Sequence, residues 1–105
     1  MAKFSDKHVP YPKQEELWDR FCASVATMER FDDVKRFFKD LLNRQERLML
    51  VRRLQIADLL DQGFTYEAIR KRLGVGQATI ARVQRWLRFG RDGYRRALKH
   101  FRTHH

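Results

Sequence analysis

Gln77, Ala78, Thr79, Ala81, Arg82, Gln84 and Arg85 are polar, basic or small, and they interleave at helical spacing with Ile80, Val83 and Trp86-Leu87. With the apolar set turned inward, the others form the outward face of a short helix. Such a face offers hydrogen bonds and positive charge, and in a helix-turn-helix it is the part available to the DNA major groove. The elements that must position it lie just upstream. Thr65 can cap a first helix whose buried side is Ile69 and Leu73. Gly74-Val75-Gly76 then makes a short turn, with Gly74 supplying the φ > 0 residue that ends that helix. Two helices joined by three or four residues cross steeply, which gathers Ile69, Leu73, Val75, Ile80 and Val83 into one apolar cluster. Residues 65–87 therefore read as a helix-turn-helix, with its reading helix over 76–88.

The charge distribution supports a polyanionic partner. The 105 residues carry a formal net charge of +10. Residues 1–65 hold 12 Lys/Arg against 11 Asp/Glu, whereas residues 66–105 hold 11 against 2. A nearly neutral front half with a strongly basic back half is the asymmetry of a nucleic-acid binder rather than of a solvated tail, because the arginines begin inside the reading helix. Arg82, Arg85, Arg88, Arg91, Arg95 and Arg96 are read as outward-facing phosphate contacts, which position a protein without choosing sequence. Six such contacts per dimer imply a log–log salt slope of about −5.

The rest of the chain is helical in pattern. Residues 1–12, with Pro10 and Pro12 around Tyr11, read as a flexible N-terminal arm, and residues 13–105 as a single helical domain. Leu17, Trp18, Phe21, Cys22, Val25 and Met28 recur at three- and four-residue intervals, with Cys22 read as a small core residue. A second stripe runs through Phe31, Val34, Phe37, Phe38, Leu41 and Leu42. Asn43-Arg44-Gln45-Glu46 is a capping box opening a long helix that Gly63 ends. Between Arg47 and Leu60 the apolar residues of that helix go almost all the way round, so it needs partners on several sides. After Gly90 and Gly93 a last helix turns Tyr94, Ala97, Leu98 and Phe101 inward, with Arg95, Arg96, Lys99 and Arg102 outward. The sum is an all-α chain of about six helices. Its apolar surface exceeds what a monomer of this size readily hides, at about 1.5–3 kcal/mol for each large side chain buried. An intertwined homodimer resolves the excess and presents two reading helices about 34 Å apart, the spacing of successive major grooves.

From Leu41 onward the chain resembles the Trp repressor superfamily. The residues that carry the likeness are LLNRQERLMLVRR, the Gly63 boundary and RLGVGQATIARV. The resemblance implies an all-helical, intertwined homodimer that represses transcription. It places Gln77, Ala78 and Thr79 at base edges and Arg70 at phosphate; Ala81 is expected beside the first set and Lys71 beside the second. Glu67 stands where the family often has a basic residue; it could accept from a cytosine amino group or serve as favourable charge in a helix's first turn. Two arginines sandwich the indole in the tryptophan-responsive members, and the matching positions here are Arg53 and Arg82. That pocket also needs small residues where this chain has Val83 and Trp86. Trp86 is therefore expected to fill the slot of a free indole, with Arg53 or Arg82 stacked on its face, and no L-tryptophan co-repressor is expected.

The expected function is sequence-specific DNA-binding transcriptional regulation, as a repressor at a two-fold symmetric operator on double-stranded DNA, without L-tryptophan. The alternatives are a non-specific nucleic-acid binder and a basic helical protein-interaction module. No cofactor or metal is expected: His8, His100, His104 and His105 are scattered or terminal, and no Cys or carboxylate completes a zinc site. No catalytic constellation is present, so the chain does not read as an enzyme. With one cysteine, no signal-peptide core and no membrane-length apolar run, the expected compartment is the cytoplasm.

Overall fold

The computed structural model describes residues 9–103. Six helices follow one another: α1 (Tyr11–Ala26), α2 (Phe31–Leu41), α3 (Arg44–Asp61), α4 (Tyr66–Leu73), α5 (Gln77–Phe89) and α6 (Gly93–Thr103). The described residues contain no strand. The chain divides into two compact units, with the boundary between Leu42 and Asn43.

The first unit holds α1 and α2. Of the expected arm, residues 1–8 lie outside the described residues, and α1 already begins at Tyr11 with Pro12 in its first turn. Proline suits that position because its fixed φ is helical and its missing N–H would have no intrahelical acceptor there. The two helices meet where Phe21 lies 6.0 Å from Phe37, and within α1 Trp18 stacks on Phe21 at 5.2 Å between centroids. Neither helix has a buried residue. Cys22, expected in the core, is exposed, since a pair of helices covers only the Phe21–Val25 side of α1.

The second unit is built on α3. Its N-cap is the expected capping box, in which Glu46 N–H donates to Asn43 Oδ1 and Asn43 N–H to Glu46 Oε1, each at 2.9 Å. Only the C-terminal half of α3 is covered. Ile56 and Ala57 join Ile69 of α4, Ile80, Val83 and Leu87 of α5, and Leu98 of α6 in one core. Leu73 and Val75 pack against it, which completes the cluster expected at the helix-turn-helix. The N-terminal half of α3 keeps Leu48, Met49, Leu50 and Val51 about half exposed, at 46 to 54%.

α6 is held by charge as well as by packing. Arg102, expected to face outward, instead reaches α3: its Nε donates to Asp58 Oδ1 and its Nη2 to Asp61 Oδ2 at 2.8 Å. Asp58 is the buried charged residue of the described structure. Hydrogen bonds from Arg102 to Asp58 and then to Asp61 raise the Arg102 pKa further above its ordinary value. A buried carboxylate is tolerable only with such a partner.

Candidate nucleic-acid interface

The helix-turn-helix forms as its sequence requires. Thr65 Oγ1 accepts the Ala68 N–H at 3.2 Å and caps α4. Gly74 ends that helix at φ 68° and donates to the Arg70 carbonyl at 2.8 Å. An L side chain is strained at that φ. After Val75 and Gly76 the chain re-enters a helix at Gln77, one residue later than expected.

Four sides of α5 can be told apart. Ile80, Val83 and Leu87 point into the core. Ala78, Ala81, Arg82 and Arg85 lie roughly opposite them and are exposed. Residues seven apart are nearly two full turns apart and share a flank. Gln77 and Gln84 thus share one flank, where Gln84 receives a hydrogen bond from Tyr66 of α4. Thr79 and Trp86 share the other, where both line a cleft against α3.

The expected base-reading residues, Gln77, Ala78, Thr79 and Ala81, are all exposed near the N-terminal end of α5. The structure divides them, because Thr79 also lines the α3 cleft. The expected phosphate residues differ in their existing partners. Arg70, Arg82, Arg85 and Arg88 are exposed, and none forms an ion pair among the described residues. Lys71 pairs with Glu67 at 3.5 Å, Arg96 with Asp92 at 3.6 Å and Arg95 with Asp61 at 3.5 Å. The first two pairs are open to solvent and worth little, so those cations can exchange onto phosphate. Arg95 belongs to the carboxylate cluster that also holds Arg102.

The cleft has a volume of about 320 Å³ and is lined by Met49, Arg52, Arg53, Thr79, Arg82, Val83, Trp86 and Tyr94. It contains all the expected pocket residues, Arg53, Arg82, Val83 and Trp86. It adds Arg52, half-buried beside the exposed Arg53. The family resemblance pointed to Arg53 alone of the pair. Adjacent helical residues differ by about 100° in direction, and an all-round apolar helix has no polar face to say which of two neighbours points into a groove.

Two expectations for Trp86 are corrected. It does not turn inward with Leu87: it is 49% exposed whereas Leu87 is buried. Nor does it fill the slot. Its ring is part of the wall of the 320 Å³ cleft and of a neighbouring one lined by Leu50, Leu54 and Gly90. Among the described residues no arginine stacks on it; the cation–π contacts are Lys35 over Phe31 at 5.8 Å and Arg72 over Phe64 at 5.1 Å. The reason is helical phase. Trp86 follows Thr79 by seven residues and inherits its flank, facing the uncovered half of α3.

This architecture, a short helix-turn-helix braced on a longer helix and followed by a basic one, is that of a DNA-binding regulator, and the comparisons agree. The sequence profile of the family described as Trp repressor protein matches residues 16–102. The chain belongs to that family, one of DNA-binding regulators. The uncharacterized protein YerC of Bacillus subtilis (strain 168) is 38% identical over 80 residues, 76% of this chain and 77% of that one. The crystal structure of a protein assigned as a Trp repressor from Staphylococcus aureus superposes with a TM-score of 0.68 at 32% identity, covering 95% of this chain and 96% of the other. A TrpR-like protein from Eubacterium eligens ATCC 27750 gives 0.72 at 30% identity over 82% and 89%. Among the described residues no helix is long and apolar enough to cross a membrane.

Proposed function

We propose that this chain is a sequence-specific transcriptional repressor that binds a two-fold symmetric operator as a homodimer, with α5 in the major groove and without need of L-tryptophan. The observation that carries the reading is the exposed face of α5. Gln77, Ala78, Thr79 and Ala81 stand near its N-terminal end, framed by Arg70, Arg82, Arg85 and Arg88. In this motif N-terminal residues of the second helix read base edges while surrounding cations hold phosphate. Lys71 and Arg96 complete the phosphate set in a secondary role, while Arg95 stays with Asp61.

Dimerisation rests on uncovered apolar surface. Trp18, Phe31, Leu41 and residues 48–51 are all more than 40% exposed in the single chain. So many large apolar side chains in water are a sign of a missing partner surface, and a second copy supplies one while adding a second α5.

Independence from L-tryptophan rests on Trp86 and Val83, bulky residues lining the cleft where the resemblance places small ones. Selection of binding sites from random DNA, performed with and without L-tryptophan, tests all three parts. The expected result is one two-fold symmetric consensus, identical in both conditions. An asymmetric or absent consensus refutes the operator reading. A consensus recovered only with L-tryptophan, or micromolar L-tryptophan binding by calorimetry, refutes the co-repressor reading.

A further inference from the structure

Tyr66 opens α4, packs its ring against the core and donates its hydroxyl hydrogen to Gln84 Oε1 on α5. Both residues are half-buried. Among the described residues this is the side-chain hydrogen bond that joins the two helices of the helix-turn-helix. The other contacts between them are apolar, through Ile69, Ile80 and Val83. Apolar contacts are non-directional; a hydrogen bond weakens steeply when its angle or length departs from ideal. The Tyr66–Gln84 bond therefore adds a directional restraint to the packing of the core, on the rotation of α5 about its own axis.

Gln77 lies on the same flank as Gln84, about 10 Å along the axis at 1.5 Å per residue. A side-chain tip sits about 5–6 Å from the helix axis, so a 20° roll of α5 moves it by about 2 Å. That is enough to break a hydrogen bond to a base edge while a long arginine can still follow its phosphate. Resting on the DNA-reading function proposed above, we infer that Tyr66 is a positioning residue for sequence readout, setting the roll of α5 through Gln84 and thereby the placement of Gln77.

Tyr66→Phe keeps the ring and its packing and removes only the hydroxyl. Gln84 is half-buried, so its side chain can turn to water, and folding is little affected. The test measures affinity for the DNA site selected by the wild type and for random DNA, together with the thermal midpoint, for wild type, Tyr66→Phe, Gln84→Ala and the double variant. The ratio of specific to random affinity is expected to fall about two- to tenfold in Tyr66→Phe, the range of one neutral hydrogen bond. Random-DNA affinity and the thermal midpoint stay unchanged, and the double variant loses no more than the larger single loss. A wild type that does not discriminate between the two DNAs overturns the proposed function and this inference with it. A discriminating wild type beside a Tyr66→Phe variant that discriminates equally overturns the role of Tyr66 alone. So do equal losses on both DNAs, a lowered midpoint that accounts for the loss, or additive losses in the double variant.

Discussion

Replacing Arg85 by alanine should flatten the salt dependence of DNA binding, and replacing Arg95 should not. Sequence alone treats the basic residues of the C-terminal half as equivalent. The structure separates them. Arg70, Arg82, Arg85 and Arg88 have no ion-pair partner among the described residues, whereas Arg95 Nη1 lies 3.5 Å from Asp61 Oδ1 in the cluster that also binds Arg102. If those four touch phosphate in both subunits of a dimer, about eight contacts form, and at about 0.9 counterions per contact the log–log slope is about −7. A fourfold rise in salt, from about 50 to 200 mM, then lowers affinity about 10⁴-fold. Arg85→Ala removes one contact per subunit, bringing the slope to about −5 and the same salt interval to about 10³-fold. Arg95→Ala leaves Asp61 paired with Arg102 and the slope within about half a unit of wild type. Fluorescence anisotropy of a labelled operator across a salt series reads each slope directly. Equal changes in the two variants would refute the claim that pre-existing ion pairs decide which cations reach phosphate.

Packing, backbone geometry and the Arg102 cluster set the outcomes of four further substitutions. Ile80→Ala, at a fully buried site, should cost about 2–5 kcal/mol of stability in denaturant unfolding at fixed protein concentration; a loss under 1 kcal/mol would mean the core is not where the structure puts it. Gly74→Ala meets open space, so only its φ of 68° opposes it and the loss should be about 1–2 kcal/mol. Gly90→Ala should be worse, because its Cβ would lie 2.3 Å from the Trp86 carbonyl oxygen and the backbone must move; equal melting points for the two glycine variants would contradict this. Asp58→Asn takes the charged acceptor from Arg102, so hydrogen exchange should quicken in α6 while α4 and α5 keep their protection. Uniformly faster exchange would show that α6 is not held separately by this cluster.

How much was legible in the sequence depended on how local the physics is. The capping box at Asn43 and Glu46, the Thr65 cap and the Gly74 stop each involve residues within four positions of one another, and all three form as their residue types require. The i, i+3, i+4 pattern also located the cluster of Ile69, Ile80 and Val83, because a short turn leaves two amphipathic helices few ways to meet. The exposed polar and basic side chains of α5 were visible as residue types for the same reason. The partners those residues find across the fold were not visible. Arg102 looked like one more outward cation, yet it binds Asp58, 44 positions earlier. Trp86 looked like core because it stands beside Leu87, yet a step of about 100° turns it to an uncovered flank. Arg52 gave no sign of entering the cleft beside Arg53, and Gln84 none of meeting Tyr66. By itself the sequence determined six helices, the caps of α3 and α4 and a basic exposed face on α5, since these depend on neighbours along the chain. Only the tertiary structure decided which arginines are already paired, that Trp86 lines an open cleft, and that Tyr66 of α4 hydrogen-bonds to Gln84 of α5. Those facts depend on residues brought together from distant positions, whose mutual directions no local pattern encodes.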